Sequence, residues 1–453
     1  LKDVYRLLYN PELYLLAYGR LYQNAGAMTE GTTPETVDGM SPAKIDAIIA
    51  DLRCERYRWT PVRRVEIPKK NGKTRPLGIP CWSDKLLQEV VRMLLEAFYE
   101  PQFSGCSHGF RAGRGCHTAL LDIQSRCKGT KWFIEGDIKG CFDNIDHGVL
   151  LSILRERIHD NRFLRLLGNL LRAGYCQDWR YRPSLSGTPQ GGVISPLLAN
   201  IYLDRLDQYV EHVLKPKYTR GKQRKLNPEW NKASCRLKYH RRLGHHETAR
   251  HWEKLMKQLP AQDIRDPDFR RLHYARYADD FLLCFAGPKG EAEEIREQLR
   301  AFLRDTLKLE LSAEKTLVTH AVRGAARFLG YEIQSQQCDT KLDRRGSRST
   351  NGNLALRVPI DVVRAKCSAY QRNGRVVHRP ELMGEPDYDI VQLYQWEYAG
   401  VVNYYRLAHN VSWLHRLGYV MQGSLLRTLA NKHKATVGNI WRRYRSTAQT
   451  PDG

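Results

Sequence analysis

The sequence has no C-x-x-C pair. Its 11 cysteines are scattered from Cys54 to Cys367, so neither a zinc ribbon nor a disulfide framework is legible, and reduced thiols are the reading they support. No apolar stretch approaches the roughly 18 residues that span a bilayer, which excludes a membrane-spanning helix. Leu1 to Asn10 lacks the apolar core of a signal peptide. Because residue 1 is leucine and not methionine, a trimmed or renumbered start, and with it a missing targeting signal, stays open. Internal repeats and low-complexity tracts are absent. The histidines at 245, 246 and 251 lie among arginines and lysines with no cysteine near, and their loose spacing is not read as a metal site. Acid is short at the far end, where no Asp or Glu occurs between Glu397 and Asp452.

What is present is positive charge. Lysine and arginine number 73 against 49 aspartates and glutamates, a formal charge of +24. That balance favours a polyanionic partner, nucleic acid first. At 453 residues and 42% hydrophobic content the chain is long and apolar enough for two or three packed units. Between Lys215 and Arg276 basic residues outnumber acidic ones about three to one, the composition of a solvated insertion or of a polyanion-binding face. After Glu397, basic residues interleave with Tyr404, Tyr405, Trp413 and Trp441. These aromatics serve either as core or as base-stacking platforms beside phosphate contacts.

Periodicity supplies a coarse map. The first sixty residues read as helices broken by a turn-rich link, Asn24 to Asp38, with a helix after Ser41-Pro42 because serine suits the cap and proline the first helical position. Alternation over Val62 to Pro68, the turn Lys69 to Lys73 and a second strand through Ile79 make a basic β-hairpin. Apolar residues at helical spacing over Lys85 to Phe98 predict a core helix. A short strand, Lys131 to Ile138, ends in acidic residues, and a helix begins near His147. Tyr274 to Phe285 reads as a hairpin around Asp279-Asp280. A Gly/Ser/Arg-rich link, Arg344 to Asn353, leads into a mostly helical C-terminal unit.

Asp137 and the pair Asp279-Asp280 carry the chemistry. Adjacent carboxylates repel and are costly to desolvate, so a pair flanked by apolar strands points to a bound cation. Mg²⁺ takes hard oxygen ligands and shares substrate phosphate oxygens, and two such ions roughly 3.5 to 4 Å apart serve polymerases generally. Asp137 and Asp279 must then meet across about 140 intervening residues. A solvent-exposed turn is the competing reading, since Asp is common in turns.

With Tyr277-Ala278-Asp279-Asp280 and Gly136-Asp137-Ile138-Lys139-Gly140-Cys141-Phe142 in hand, the chain resembles the reverse transcriptases encoded within group II introns, over nearly its whole length. The resemblance implies that Asp137, Asp279 and Asp280 are catalytic and bind two Mg²⁺ ions, with the carbonyl of Ile138 adding an oxygen. It implies that Phe142 is a steric gate against the ribonucleotide 2′-hydroxyl, and that Ser186 to Pro196 lines the nucleotide pocket with Gln190 touching the incoming dNTP. Arg63, Lys69 and Arg75 of the hairpin align with positions that hold the triphosphate. Arg111 and Arg114, in Phe110 to Gly115, resemble a template-side segment. Leu311 to Thr316, with Lys315, resembles the later palm motif, and Phe328 to Tyr331 resembles the hinge to the thumb.

Tyr398 to Tyr405 and Thr428 to Lys434 look like the maturase, or X, domain, which implies that Tyr404, Tyr405, Arg406, Lys432 and Lys434 contact RNA. The implied fold is α+β, a right-hand polymerase with an antiparallel palm sheet followed by an α-helical thumb. Its implied division is an N-terminal extension over 1–60, fingers and palm over 61–335 with a basic insertion at 215–272, and a thumb/maturase domain over 336–453. Expected partners are the group II intron RNA, an RNA template with a DNA primer or target DNA, and dNTPs, with no membrane. The expected setting is a ribonucleoprotein in a bacterial cytoplasm, an organelle remaining open. The DNA-binding segment and zinc-associated endonuclease of many relatives do not follow, so this is either a shortened form or a protein that obtains primers without cutting DNA. The competing function is an RNA-binding splicing cofactor with an idle polymerase site. An RNA-dependent RNA polymerase is disfavoured by Phe142 and the maturase-like segment.

Overall fold

The computed structural model describes every residue except 69–71, 73, 179, 185, 188–190, 264–265, 315, 339, 342–343, 345–349 and 446–453. The chain forms two compact units, Leu1–Thr319 and His320–Gly453.

The first unit is built on an antiparallel sheet. Eight strands are needed to describe it: β1 (Val62–Pro68), β2 (Thr74–Ile79), β3 (Trp132–Asp137), β4 (Tyr175–Gln177), β5 (Arg180–Arg182), β6 (Arg271–Tyr277), β7 (Asp280–Ala286) and β8 (Val318–His320). The central sheet has the order β6-β7-β3-β8. In its middle, Phe281 to Phe285 of β7 and Phe133 and Ile134 of β3 are all buried. Burial on both faces explains why β7 reads as a continuous apolar run and not as an alternation. Helix Lys289–Leu307 offers Ala292, Ile295, Leu299, Leu303 and Leu307 to the core at three- and four-residue spacing, the stripe of a surface helix.

Helix Trp82–Tyr99 begins three residues before the segment expected from periodicity, because Trp82 is itself fully buried. Its core face joins Val4, Tyr5, Leu8, Tyr14 and Ala17 of the N-terminal residues in one hydrophobic cluster. The first sixty residues therefore share the core of the unit. Ser41 accepts from the Lys44 amide and Pro42 opens helix Pro42–Arg53, as the cap chemistry predicts. A second sheet, β2-β1-β4-β5, carries the basic hairpin, with Arg63 opposite Ile79 and Ile67 opposite Arg75. Residues 69–71 and 73 of its turn, Lys69 among them, lie outside the described residues.

The basic segment from Lys215 to Arg276 is not one solvated stretch. It contains the paired helices Pro228–Arg242 and His246–Gln258 and ends as β6. Its last residue, Arg276, is fully buried. A run of like charge carries no information about which of its residues pair as a strand.

The second unit contains β9 (Ala326–Phe328), β10 (Tyr331–Ser335) and β11 (Leu354–Arg357) in the order β11-β10-β9. Helices Ile360–Ser368, Asp387–Tyr404, His415–Lys432 and Val437–Tyr444 follow. The segment expected as a hinge, Phe328 to Tyr331, is the tight turn of the β9-β10 hairpin inside this unit. Phe328 pairs with Tyr331, and both intervening residues have positive φ, Leu329 at 48° and Gly330 at 72°. This is the backbone of a two-residue hairpin loop whose twist suits the flanking strands.

Candidate active site

Strand register brings the separated aspartates together. β3 and β7 run antiparallel from Trp132 opposite Phe285 to Asp137 opposite Asp280. Directly opposed residues hold their Cβ atoms about 4.5 to 5.5 Å apart on one face. One step inward, Gly136 faces Phe281, and a Cβ there would lie 2.1 Å from the phenyl ring. Any larger residue at 136 would have to displace the Phe281 ring from the position it occupies beside the two carboxylates. Asp279 sits in the two-residue turn between β6 and β7, whose first residue, Ala278, has a φ of 55°. Only a few per cent of non-glycine residues adopt that conformation, so surrounding contacts must hold it.

Those contacts are visible. Arg276, three residues before Asp279, is fully buried, and its guanidinium donates to the Ala278 carbonyl at 2.9 Å. The same group donates to both Asp207 carboxylate oxygens at 2.8 and 2.6 Å, to Asn200 Oδ1 at 3.1 Å and to Ser107 Oγ at 2.8 Å. Tyr274 also donates to Asp207. Burial opposes the charge on Arg276, but Asp207 outweighs it and holds the guanidinium well above its ordinary pKa. From the other side, Gly109 lies on the turn so closely that a Cβ would come within 2.3 Å of the Ala278 nitrogen. Asn200 Nδ2 secures the Gly109 carbonyl at 2.9 Å. The turn is clamped between the Arg276 guanidinium and the Gly109 backbone.

The charge of Asp279 and Asp137 is felt nearby. Burial pushes the Cys141 thiol up to about 12, and Asp279, Asp143 and Asp137 add to the rise while Arg276 works against it. Among the described residues, no three His, Cys, Asp or Glu side chains are gathered closely enough to hold an ion unaided. Asp137 and Asp280 in register, with Asp279 next in the chain, are hard-oxygen donors that could form part of a divalent cation's shell. Mg²⁺ characteristically fills the remaining positions with water and substrate phosphate.

Phe142 is half-buried, and its ring meets that of Phe110 edge-on at 6.1 Å. Gly187, at φ 86°, crosses the backbone here; a Cβ would lie 2.8 Å from the Phe142 carbonyl and 2.7 Å from that of Asp143. Its amide donates to the Ile145 carbonyl at 2.8 Å. Gly191, at φ 107°, approaches β2 in the same way, 2.5 Å from the Gly78 carbonyl. Gly187 and Gly191 thus let the backbone lie close to the Phe142 segment and to the basic hairpin respectively. A cleft lined by Arg64, Gly78, Asp143, Tyr175 and Gly187 opens between them. Gln190 falls outside the described residues, as does Lys315. The neighbours of Lys315 are anchored, with Ile138 bridging Leu311 and the Ser312 amide bonded to the Asp137 carbonyl.

Other expected positions fare differently. Arg63 and Arg75 share one face of the hairpin, and Arg63 donates twice to the Glu30 carbonyl. Arg111 is buried, its guanidinium bound to Glu100 and to the carbonyls of Ser104 and Ser107. It braces its own loop instead of facing solvent. Arg114 donates to Gly105 and Ser107 carbonyls. In the second unit, Tyr404 and Tyr405 hydroxyls donate to the Leu329 and Gly330 carbonyls of the hairpin turn, and Tyr405 is buried. That is core work, not an open stacking platform. Lys432 is held by the Asp387 carboxylate and the Glu385 carbonyl. Arg406, Lys434, Trp413 and Trp441 are exposed.

Sequence reasoning missed the roles of Arg276, Asp207 and Asn200; it placed Arg276 both in the Tyr274 to Phe285 hairpin and at the end of a segment read as a solvated insertion or a polyanion-binding face. The one available signal was an arginine embedded in a strand with buried Tyr274 and Ala275 on one side and Ala278 on the other. Its partners come from a helix some 70 residues earlier in the chain.

Comparison with known proteins follows the same outline. Residues 67–226 match the family described as reverse transcriptase (RNA-dependent DNA polymerase), and residues 355–450 match type II intron maturase. The chain is 43% identical over 453 residues to the group II intron-encoded protein LtrA of Lactococcus lactis subsp. cremoris, covering 96% of this chain and 75% of that protein. It is 36% identical over 446 residues to an uncharacterized 91 kDa protein in the cob intron of Schizosaccharomyces pombe, covering 96% and 54%. It is 36% identical over 342 residues to YkfC of Escherichia coli, covering 72% and 82%.

Proposed function

The chain belongs to the family of group II intron-encoded reverse transcriptases with a maturase domain, and we propose that Asp137, Asp279 and Asp280 run its DNA synthesis on two Mg²⁺ ions. It is an RNA-directed DNA polymerase that also binds its intron RNA and promotes the intron's splicing and mobility. The observation that carries the site assignment is the register of Asp137 against Asp280, with Asp279 next to it in a clamped turn.

The arrangement we propose is a right hand. Its fingers include the β1-β2 hairpin, its palm is the β6-β7-β3-β8 sheet, and its thumb and intron-RNA binder is the C-terminal region. In sequence these are an extension over 1–60, fingers and palm over 61–335 and a thumb/maturase domain over 336–453. Bound Mg²⁺ would activate the attacking 3′-hydroxyl and stabilise the leaving pyrophosphate. The chain's own part is positioning. Asp137, Asp279 and Asp280 direct carboxylate oxygens to the reacting phosphate, and the rigid turn means that little reorganisation is needed when substrate arrives. Arg63, Lys69 and Arg75 clamp the triphosphate, since developing phosphate charge needs fixed cations. Phe142 lies under the sugar and leaves no room for a 2′-hydroxyl, while Gln190 meets the incoming nucleotide. Among the described residues no helix is long and apolar enough to cross a membrane; we place the protein in a ribonucleoprotein in the bacterial cytoplasm.

The test is primer extension on an RNA template with dNTPs and Mg²⁺, run for the native chain and Asp279→Ala, with RNA binding measured on both. Product from the native chain alone, with binding retained by the variant, is the expected result. No product from either, with tight RNA binding, would replace this reading with that of a splicing cofactor whose polymerase site is idle.

A further inference from the structure

The two helices Pro228–Arg242 and His246–Gln258 lie between the two segments that match known families. Their charges divide into two groups. Residues 228 to 258 hold eight lysines and arginines against three glutamates. Glu253 is spoken for, pairing with Arg241 and Lys257. Lys232, Arg236, Lys238, Arg242, Arg250 and Lys254 are exposed and meet no acidic partner among the described residues. The base of the same insertion is the opposite. There Lys225 pairs with Asp268, the Lys225 amide donates to Asp266, and Arg220 and Arg270 both reach Glu291. Backbone bridges from Arg220 to Arg270 and from Leu226 to Gln262 fasten the base. Ion pairs gather where the insertion is mounted, whereas six of the eight cations along its helices meet no acidic partner among the described residues.

Unpaired like charges within a Debye length of roughly 8 Å repel and destabilise the fold that carries them. A face kept soluble by charge does not require one sign. Nor does it require the exposed side chains that continue the stripe: Lys232, Arg236, Tyr239 and Leu243 recur at intervals of four, three and four residues, so they lie along one side of the first helix. Tyr239 is 55% and Leu243 49% exposed. Two cations followed by an open aromatic ring suit phosphates followed by an unpaired base.

We propose that the Lys232-Arg236-Tyr239 stripe is a docking surface for structured RNA, with the two cations on backbone phosphates and Tyr239 stacked on a loop base. The proposal rests on the RNA-binding reading above and gives it a location outside the active site. The insertion's fastened base makes the surface pre-organised, so binding does not require the helices to form first.

The experiment uses the full chain, a labelled RNA stem-loop and a DNA stem-loop of the same sequence. Native protein, the double variant Lys232→Gln/Arg236→Gln, and Tyr239→Ala are titrated across a series of salt concentrations. Primer extension on poly(rA)/oligo(dT) and thermal melting are measured in parallel. The double variant should bind the RNA stem-loop about tenfold more weakly and lower the salt slope by roughly 1.5, the signature of two lost phosphate contacts. Tyr239→Ala should weaken binding about fivefold or more with the slope unchanged. Melting temperature and primer extension should not move. Unchanged RNA affinity and slope in both variants would overturn the proposal while leaving the RNA-binding reading intact. Failure of the native chain to bind the RNA stem-loop would overturn both. A loss confined to the DNA stem-loop would reassign the surface to DNA and overturn the commitment to RNA.

Discussion

Arg276 and Asp207 form an ion pair at 2.6 Å with both side chains fully excluded from solvent, and the same guanidinium holds the carbonyl that precedes Asp279. One buried pair thereby joins the core of the first unit to the turn on which the proposed metal site depends. Buried ion pairs add little net stability compared with apolar replacements, yet removing one partner is costly because the other charge is stranded. Here the value of the pair lies in where it points.

Arg276→Gln should therefore strand Asp207 and release the Ala278 carbonyl. We expect a loss of about 3 to 5 kcal/mol of stability, read by urea denaturation, together with loss of primer extension. Arg276→Lys keeps the charge on Asp207 but cannot span Asn200, Ser107 and Ala278 at once, since an ammonium lacks the planar fork. It should recover more stability than activity. Equal recovery of both would show that the guanidinium does not position the turn.

Phe142→Ala should leave the fold intact, because the ring is only half-buried, and should open the space under the sugar. Discrimination between dNTP and NTP in primer extension should fall by about tenfold or more, the scale that pocket shape alone provides. Unaltered selectivity with normal dNTP turnover would remove the gate assignment from this residue.

His108 supplies a pH dependence. It is buried, its Nδ1 lies 3.0 Å from Thr118 Oγ1, and burial, followed by the charges of Arg114, Arg111, Arg126 and Arg276, lowers its pKa to about 4. The unfolded chain therefore binds a proton below about pH 6.5 that the folded chain refuses. Its contribution is fully present above that pH and is lost as pH falls towards 4, by roughly 1 kcal/mol per pH unit. His108→Gln should flatten the fall in urea midpoint between about pH 6.5 and pH 4.5. An identical slope in the variant would place the acid sensitivity elsewhere, with His273, which burial likewise lowers to about 4, the next to test.

Much of the local structure was readable because it depends on neighbours in the chain. The alternation of Val62 to Pro68 and Thr74 to Ile79 forms the paired hairpin, Ser41-Pro42 caps its helix, and the leucines and valines of Trp82–Tyr99 face the core. The aspartates stood out for a similar reason, being charges in apolar strands. Arg276 carried the same signal but was absorbed into a run of basic residues, and only pairing across the sheet separates a buried strand arginine from a solvated one.

By itself, then, the sequence determined the basic hairpin, the capped N-terminal helix, the core helix and the strands that carry the aspartates, the excess of positive charge, and the identity of the candidate acidic residues. These follow from periodicity, capping and composition, all of them short-range or summed properties. Tertiary structure alone decided that Asp137 opposes Asp280, that Gly109 and Arg276 clamp Ala278 in a left-handed turn, that Arg111, Tyr405 and Lys432 are engaged inside the protein, and that six cations of the helical insertion meet no acidic partner among the described residues. The opposition of Asp137 and Asp280 and the close approach of Gly109 to Ala278 are contacts between residues distant in the chain, set by strand register and close packing, which no local pattern of side chains specifies.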